Sequence, residues 1–347
     1  MDIQLRQRGR ALLDFEVAIR QATGRLGRTI EADLAARGIT AATLPEPMDE
    51  RHAVIDEALA GSKPFRLRAL MSDWCGRNHG LAALEAFEEI AASVAGAIDA
   101  LDQGPTTIAD KAGFEAPAYW SRTWFHRTHN GWDDHPHQGF IHGELVHKQY
   151  VAKVFPGDIY GARRTVARLA PKRDYARILE IGTSSGHYTQ ALAEVFPDAV
   201  IVGIDPSLRM LEQARRVGNA AGKAWDLRVG IGEKTDFDDA SFDLVTAYAV
   251  HHELPPRAID DMFKEALRLL KPGGDLVIAD VPRYAALDRL AAWRFDWQAK
   301  YGGEPFWRAS ASLDFAEAAR ARGFVDVTSG ALPPYGNPYY MVGSKPV

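Results

Sequence analysis

Arg177-Ile-Leu-Glu-Ile-Gly-Thr-Ser-Ser-Gly186, followed by Ile201-Val-Gly-Ile-Asp-Pro206, reads as strand, glycine turn, helix, strand, acid. The run from Ile178 to Ile181 is short, apolar and β-branched, which suits a buried parallel strand. Gly182 and Gly186 let the backbone turn sharply and come close to a ligand. His187 to Phe196 then has helical spacing. A second apolar run from Ala199 to Ile204 ends at Asp205, about twenty residues past the glycines, where an acid can reach the two hydroxyls of a ribose.

Two nucleotide cofactors fit that outline, and the glycine spacing separates them. A dinucleotide fingerprint wants glycine at 182, 184 and 187; this chain has Ser184 and His187. An acid-x-Gly-x-Gly-x-Gly pattern is met at Glu180, Gly182 and Gly186, with Ser184 the one departure. Glu180 would repel a pyrophosphate but could help hold the cationic methionine end of S-adenosylmethionine. The bland alternative is an ordinary βαβ turn with no ligand.

Downstream segments continue the pattern. Gly230-Ile-Gly-Glu233 and Phe237-Asp-Asp-Ala-Ser-Phe-Asp243 follow a third apolar run, about Trp225–Val229. Asp243-Leu-Val-Thr-Ala-Tyr-Ala-Val-His-His252 reads as a fourth strand and its end. Leu267-Arg-Leu-Leu-Lys-Pro-Gly-Gly-Asp-Leu-Val-Ile-Ala-Asp280 reads as helix, stop and fifth strand, with Pro272, Gly273 and Gly274 as the stop. In order and spacing, roughly residues 150–285 resemble the class I S-adenosylmethionine-dependent methyltransferases. That resemblance implies an α/β fold: a seven-stranded sheet with helices on both faces, here preceded by a mostly helical N-terminal domain. It also implies S-adenosylmethionine as cofactor, S-adenosylhomocysteine as product, and a binding set. Glu180, Gly182, Thr183, Ser184 and Gly186 would surround the methionine end. Asp205 would hold the ribose, and Pro206, Ser207 and Met210 would lie near the adenine. Where the family often has an acid for the adenine amino group this chain has Ile231, so Gly232 or Glu233 takes that place. Ala247 completes the cofactor set.

Composition narrows the class. The chain has 347 residues, 46% hydrophobic and 25% charged, as soluble globular proteins do. Its net charge of −5 disfavours a large nucleic-acid footprint, which needs a basic face. The lone cysteine, Cys75, forbids an internal disulfide and fits a reducing cytoplasm. The N-terminus lacks a signal peptide's apolar core, and no run approaches the length that spans a bilayer. The expectation is a cytoplasmic protein without nucleic-acid or membrane partners.

Residues 1–149 are expected to form the helical domain, serving as a dimerisation module, a substrate lid, or both. Leu12, Phe15, Ala18, Ile19, Ala22 and Leu26 recur at helical steps. Within it, residues 116–150 crowd tryptophans with His126, His129, His135, His137, His142 and His147. Gly131, Pro136, Gly139 and Gly143 predict an irregular segment there. Residues 150–347 form the expected cofactor domain, with a helical insertion at about 284–322. Phe324-Val-Asp-Val-Thr and Tyr340-Met-Val-Gly close the sheet as strands six and seven.

Methyl transfer needs a positioned nucleophile and a dry site more than any fixed residue. Ligands sit beyond the carboxyl ends of strands in open α/β sheets. Tyr248, His251 and His252 are the catalytic candidates there, either histidine as a base; Glu253 and Asp280 lie alongside. Trp120, Trp124, His126, Tyr160 and Trp297 are the expected substrate wall. No metal ligands are assigned: His135-Pro-His137 with Asp133-Asp134 offers donors, but in no trusted zinc spacing. Asn337-Pro-Tyr-Tyr340 reads as a turn before the last strand. The functional expectation is methyl transfer to oxygen, nitrogen or sulfur of a small molecule. A peptide or other macromolecular substrate stays open, as does a cofactor-binding partner protein without methyl transfer.

Overall fold

The computed structural model describes residues 3–128, 131–155, 158–333 and 336–347; His129 lies outside them. Three helices open the chain: α1 (Gln7–Ala36), α2 (Met48–Leu59) and α3 (Lys63–Leu101). The Ser62 hydroxyl accepts from the Phe65 N–H and Pro64 sits in the first turn, so α3 starts where its sequence says it should. Leu13 on α1 and Ala83, Ala86 and Phe87 on α3 share a core with Phe140, Ile141 and Leu145. Ile30, Leu34, Ile55 and Leu59 form another with Trp293 and Trp297.

Strand β1 (Thr107–Ala109) and a short helix α4 (Ala118–Ser121) follow. Then α5 (Gln138–Phe140), a π-helical stretch (Ile141–Val151) and α6 (Ala152–Val154) run on without a break. The described residues between 122 and 137 are irregular, as the glycines and Pro136 predict, but from Gln138 onward the helix overturns that expectation. Gly139 and Gly143 serve close approach: a Cβ on Gly139 would lie 2.0 Å from the Arg209 carbonyl oxygen, and one on Gly143 3.1 Å from Ser185 Cβ.

The second half alternates helix and strand: α7 (Ile159–Ala167), β2 (Arg177–Ile181), α8 (His187–Val195), β3 (Val200–Asp205), α9 (Leu208–Ala220), β4 (Asp226–Val229), β5 (Phe242–Tyr248), α10 (Pro256–Leu269) and β6 (Leu270–Asp280). The expected insertion at about 284–322 holds α11 (Arg289–Gly302), α12 (Trp307–Ser312) and α13 (Phe315–Ala321). Phe315, Ala316 and Ala319 of α13 join the core on the α10 face of the sheet, so this helix is part of the sheet's packing. Strands β7 (Val325–Ala331) and β8 (Tyr339–Ser344) finish the chain.

The strands order as β1-β4-β3-β2-β5-β6-β8-β7, parallel except where β8 meets β6 and β7. The chain therefore leaves β2 in one direction and returns on its other side at β5, which opens a crevice at their carboxyl ends. Seven of the strands are those the sequence led us to expect. The eighth, β1, comes from the N-terminal region and pairs parallel with β4 at the sheet edge. Three residues without apolar alternation gave no signal for it. Asp102, at the end of α3, anchors the helices to α9 through Arg215 (2.8 Å) and Arg216 (2.8 and 3.0 Å). Side chains alternate between two cores: Leu179 and Ile181 face α10, while Ile178 faces α8 and α9. Among the described residues, no helix is long and apolar enough to cross a membrane.

Candidate active site

The turn after β2 is shaped by backbone. Gly182 (φ +74°), Ser184 (φ +48°) and Gly186 (φ +83°) all lie in the left-handed region. A Cβ on Gly182 would come within 2.3 Å of Val250 Cγ2, so glycine is required there by both conformation and space. The Gly182 and Thr183 N–H groups donate to the Ile204 carbonyl (2.9 and 3.1 Å). Asp205 ties the two loops together: Oδ2 accepts from the Ser184 N–H (2.8 Å) and Oδ1 from the Ser207 N–H (2.9 Å). Burial pushes its carboxyl up to about 7, against the lowering effect of those two donors.

A cavity of about 510 Å³ lies over this turn, within the range of ligand-binding clefts. Its floor is Gly182, Thr183, Ser184, Asp205, Pro206 and Met210, with Gly232, Glu233, Tyr248 and His252 at its far end. Trp120 and His126 form part of the opposite wall. These twelve expected residues meet around one space.

The others do not reach it. Glu180 is buried behind the turn on the α8 side, where Oε2 accepts from Thr189 Oγ1 (2.5 Å) and Oε1 has no partner. Burial first, and Asp205 nearby, raise its carboxyl to about 8. Gly186 caps α8 and packs on Ala214 of α9. Ser207 caps α9, its hydroxyl accepting from the Met210 N–H (3.1 Å) and donating to Asp133 (2.7 Å). Ala247 is sealed in the core between the sheet and α10. His251 is fully buried against Phe263 and Phe315, away from the cavity. Tyr160 faces a neighbouring groove lined by Lys148, Arg164 and His187. Trp124 is 54% exposed and outside the cavity lining. Trp297 lies in the core of α1, α2 and α11, under the Arg68 guanidinium (4.5 Å). Their places in the chain were readable, but which face of a strand or helix turns toward the cavity depends on packing that spacing alone does not carry.

The histidines divide into two groups. His79, His142, His147 and His187 are held neutral by burial, His79 falling to about 4 and His142 to about 3. His126 and His252 stand against acids. His126 Nε2 meets Glu253 (2.9 Å) and its Nδ1 meets Glu304 (2.5 Å). His252 Nδ1 meets Asp280 (2.7 Å), while its Nε2 lies 3.9 Å from Glu304. Burial opposes the charged form of both rings, yet these carboxylates outweigh it: His252 rises to about 9 and His126 well above the ordinary range. Asp280, which also accepts from the Val250 and His251 N–H groups (3.0 and 2.5 Å), is held well below the usual carboxylate range.

Glu304, His79, Tyr150 and Arg163 also line the cavity and were missed in the sequence. Glu304 follows Gly302-Gly303, a helix end that marks a break but gives no sign of what it faces. Gly303 (φ +76°) leaves room for Arg127, where a Cβ would stand 2.6 Å from Arg127 Cγ, and its carbonyl takes the His126 N–H. His126 and Arg127 both have positive φ (52° and 53°), a conformation costly for non-glycine residues and concentrated at functional sites. His135 packs edge-on and His137 tilted against Phe87, His135 lying 3.3 Å from Glu88, and Asp133 is occupied by Ser207 and the Arg209 N–H.

Comparison with known proteins agrees with the sheet and turn. Residues 178–274 match a family model described as a methyltransferase domain. The chain is 31% identical over 145 residues to a trans-aconitate 2-methyltransferase of Deinococcus radiodurans, covering 40% of this chain and 52% of that one. It is 29% identical over 163 residues to an arsenite methyltransferase of Aquipseudomonas alcaligenes, covering 44% and 45%. The chain thus spans about half the length of these curated relatives. A phosphoethanolamine N-methyltransferase of Haemonchus contortus overlays at TM-score 0.47 with 17% identity, over 67% of this chain and 61% of that one. The residues fit S-adenosylmethionine, the cofactor of such a domain. A glycine cradle leaves space where a Cβ would clash, and Asp205 opens onto the cavity. Residues 178–274, with the sheet built on them, carry a methyltransferase domain of the class I S-adenosylmethionine-dependent type.

Proposed function

We propose that the protein transfers a methyl group from S-adenosylmethionine to an oxygen, nitrogen or sulfur of a small molecule held in the 510 Å³ cavity. The observation that carries this is the shared space: the cofactor turn and the histidine- and tryptophan-bearing N-terminal wall line one cavity. Bound at the turn, the cofactor supplies an activated methyl on a sulfonium. In this reading Asp205 holds the ribose, Thr183 and Ser184 the methionine end, and Gly232 and Glu233 the adenine side. Glu233 is fixed by the Tyr119 hydroxyl, which donates to it from the N-terminal region. Residues 1–149 act as the cover that keeps the site dry, which is what this chemistry needs. A macromolecular substrate fits less well, because α3, α4 and the π-helix close over the strand ends.

Neither histidine expected as a base serves as one at neutral pH in this arrangement. His251 does not face the cavity, and His252 keeps its proton because its folded value is raised to about 9. Tyr248 faces the cavity with its hydroxyl pushed up by burial, so it donates a hydrogen bond rather than taking a proton. Self-association belongs to the same proposal. Phe15, Leu67, Leu70 and Trp74 leave an exposed apolar stripe on α1 and α3, and light scattering of the purified chain reads whether it pairs with a second copy.

Titration calorimetry with S-adenosylhomocysteine, and with NAD in parallel, tests the reading. Micromolar binding of the first and none of the second is expected, followed by methyl transfer in an acceptor panel that includes small tricarboxylates, which the name of one relative suggests. Binding of NAD, or of neither, overturns it.

A further inference from the structure

We propose that His126, His252 and Glu253 form a site for one divalent transition-metal ion at the acceptor end of the cavity. Each contributes one ligand atom, and the three atoms lie within 4.8 Å of one another. In a four-coordinate site with bonds of ~2.1 Å, ligand atoms stand ~3.4 Å apart. The widest-spaced pair therefore draws in by about 1.4 Å, while His126 Nε2 and Glu253, now 2.9 Å apart, open slightly, both within the reach of a glutamate and of His126 on its turn.

The groups behind these ligands make the arrangement more than a chance cluster. A metal-bound imidazole characteristically gives its other N–H to a carboxylate, which fixes the tautomer and aims the free lone pair. Both rings have such a partner. Asp280 Oδ1 takes the Nδ1–H of His252 (2.7 Å), so Nε2 is left to face the cavity. Glu304 Oε1 takes the Nδ1–H of His126 (2.5 Å), so its Nε2 turns toward Glu253. Both carboxylates are buried, and the second oxygen of Glu304 has no hydrogen-bond partner although it points at His252 Nε2 from 3.9 Å. An unpartnered buried carboxylate oxygen beside two histidines and a glutamate is negative charge that a cation held by those three would offset.

Two nitrogens and one carboxylate suit Zn²⁺, Fe²⁺ or Mn²⁺ better than the all-oxygen shells of Mg²⁺ and Ca²⁺. Three protein ligands leave a position open. Every ligand and both carboxylates behind them line the cavity that also holds Asp205 and Ser184, so the open position faces the space for the methyl acceptor. The class of acceptor this favours is one whose hydroxyl, thiol or carboxylate can ligate the ion. A bound cation would lower the pKa of a hydroxyl or thiol there, whose proton would pass to solvent, so that the nucleophile would form without a histidine base. That last step rests on the methyltransferase reading; the metal site itself does not.

The test uses the full chain, stripped with a chelator and titrated with Zn²⁺ by calorimetry and with Co²⁺ by visible absorption, with Mg²⁺ as the contrasting ion. One Zn²⁺ per chain is expected, with d–d bands for Co²⁺ and no competition from Mg²⁺. His126→Ala and His252→Ala should abolish the bands, Glu304→Gln should weaken Zn²⁺ by about 10–100-fold, and His135→Ala should change nothing. Absence of stoichiometric binding overturns the site, as do bands that survive His126→Ala or disappear in His135→Ala. Should His252→Ala unfold, His126→Ala decides alone, since that residue sits on a loop. Zn²⁺ binding without S-adenosylhomocysteine binding would keep this site and end the methyltransferase reading; the reverse would do the opposite.

Discussion

On the sheet side of the cavity, backbone does the shaping. Left-handed residues at 182, 184 and 186, N–H groups pointing at Ile204 and Asp205, and a strand order that reverses at β2 together make the cradle. On the facing side, side chains do it. Trp120, His126 and Tyr150 come from the short helix α4, a left-handed turn and a π-helix, and only tertiary packing brings them together. Backbone shape is written in short local patterns, because glycine placement and apolar period act within a few residues. A wall of side chains depends on how long helices dock, and that is not local.

The two tryptophans expected in the substrate wall offer the sharpest way to break this division. Trp297 is buried among Trp293, Phe65 and Leu34 and lies outside the cavity lining. Trp297→Ala should destabilise the protein by ~3–5 kcal/mol, the usual result of emptying an aromatic core site, without altering S-adenosylhomocysteine affinity at a temperature where the chain is folded. Trp120 lines the cavity and is half-buried. Trp120→Ala should cost ~1 kcal/mol of stability and instead raise KM for the acceptor. Thermal melts with parallel calorimetry read both. Equal losses of stability would show that the wall and the core are not distinct.

Glu180 belongs to the cradle by sequence but to its foundation by structure. Thr189 donates to it, Asp205 repels it and Arg163 attracts it, and burial dominates. Its carboxyl is ordinary when unfolded and raised to about 8 when folded. The sign follows: the folded state binds the proton more tightly, so stability is full below about pH 4.5 and falls as pH rises toward 8. Glu180→Gln removes that titration while keeping an oxygen for Thr189. The variant should start below wild type at pH 5, since its amide N–H lacks a partner, and gain on it by a few kcal/mol up to pH 8. Chemical denaturation at the two pH values measures this; parallel pH curves would mean that the carboxylate finds a partner when ionised.

The loss expected at Asp205 is smaller and confined to binding. Asp205→Ala should weaken S-adenosylhomocysteine by ~1.5–3 kcal/mol, about 10- to 100-fold. Asp205→Asn keeps one acceptor oxygen for the Ser184 or Ser207 N–H and should fall between. An alanine variant with unchanged affinity would remove Asp205 from the cofactor site.

These residues also show how much was readable. The succession of elements from β2 to β6 and the placement of Gly182, Asp205 and Tyr248 follow from period and glycine spacing, since each is decided by its neighbours in the chain, whereas Pro272-Gly273-Gly274, expected as the helix stop, lie within β6 after the helix has ended at Leu269. Strand β1 was not readable, because three residues added to a sheet edge need no pattern of their own. The helix through Gly139 and Gly143 was misjudged for a physical reason. Glycine lowers helix propensity, but here it lets the helix touch the Arg209 carbonyl and Ser185, and packing overrides propensity. Pairing of His126 with Glu253 and Glu304 spans 127 and more residues of sequence, beyond any local signal.

Ser184 tests the finest point of the comparison, whether a departure from the glycine pattern changes function or only conformation. Its φ of +48° is where the family pattern puts glycine, and its N–H, not its side chain, bonds Asp205. A left-handed non-glycine residue costs about 1–2 kcal/mol. Glycine would relieve that but adds about 0.4–1 kcal/mol of unfolded-state entropy. The two nearly offset, so Ser184→Gly should raise stability by less than about 1 kcal/mol and leave S-adenosylhomocysteine affinity within about twofold. Tight binding through backbone alone predicts that result. A tenfold loss on calorimetry would instead assign the serine hydroxyl a direct hold on the cofactor, and the cradle would then be shaped by side chains as the facing wall is.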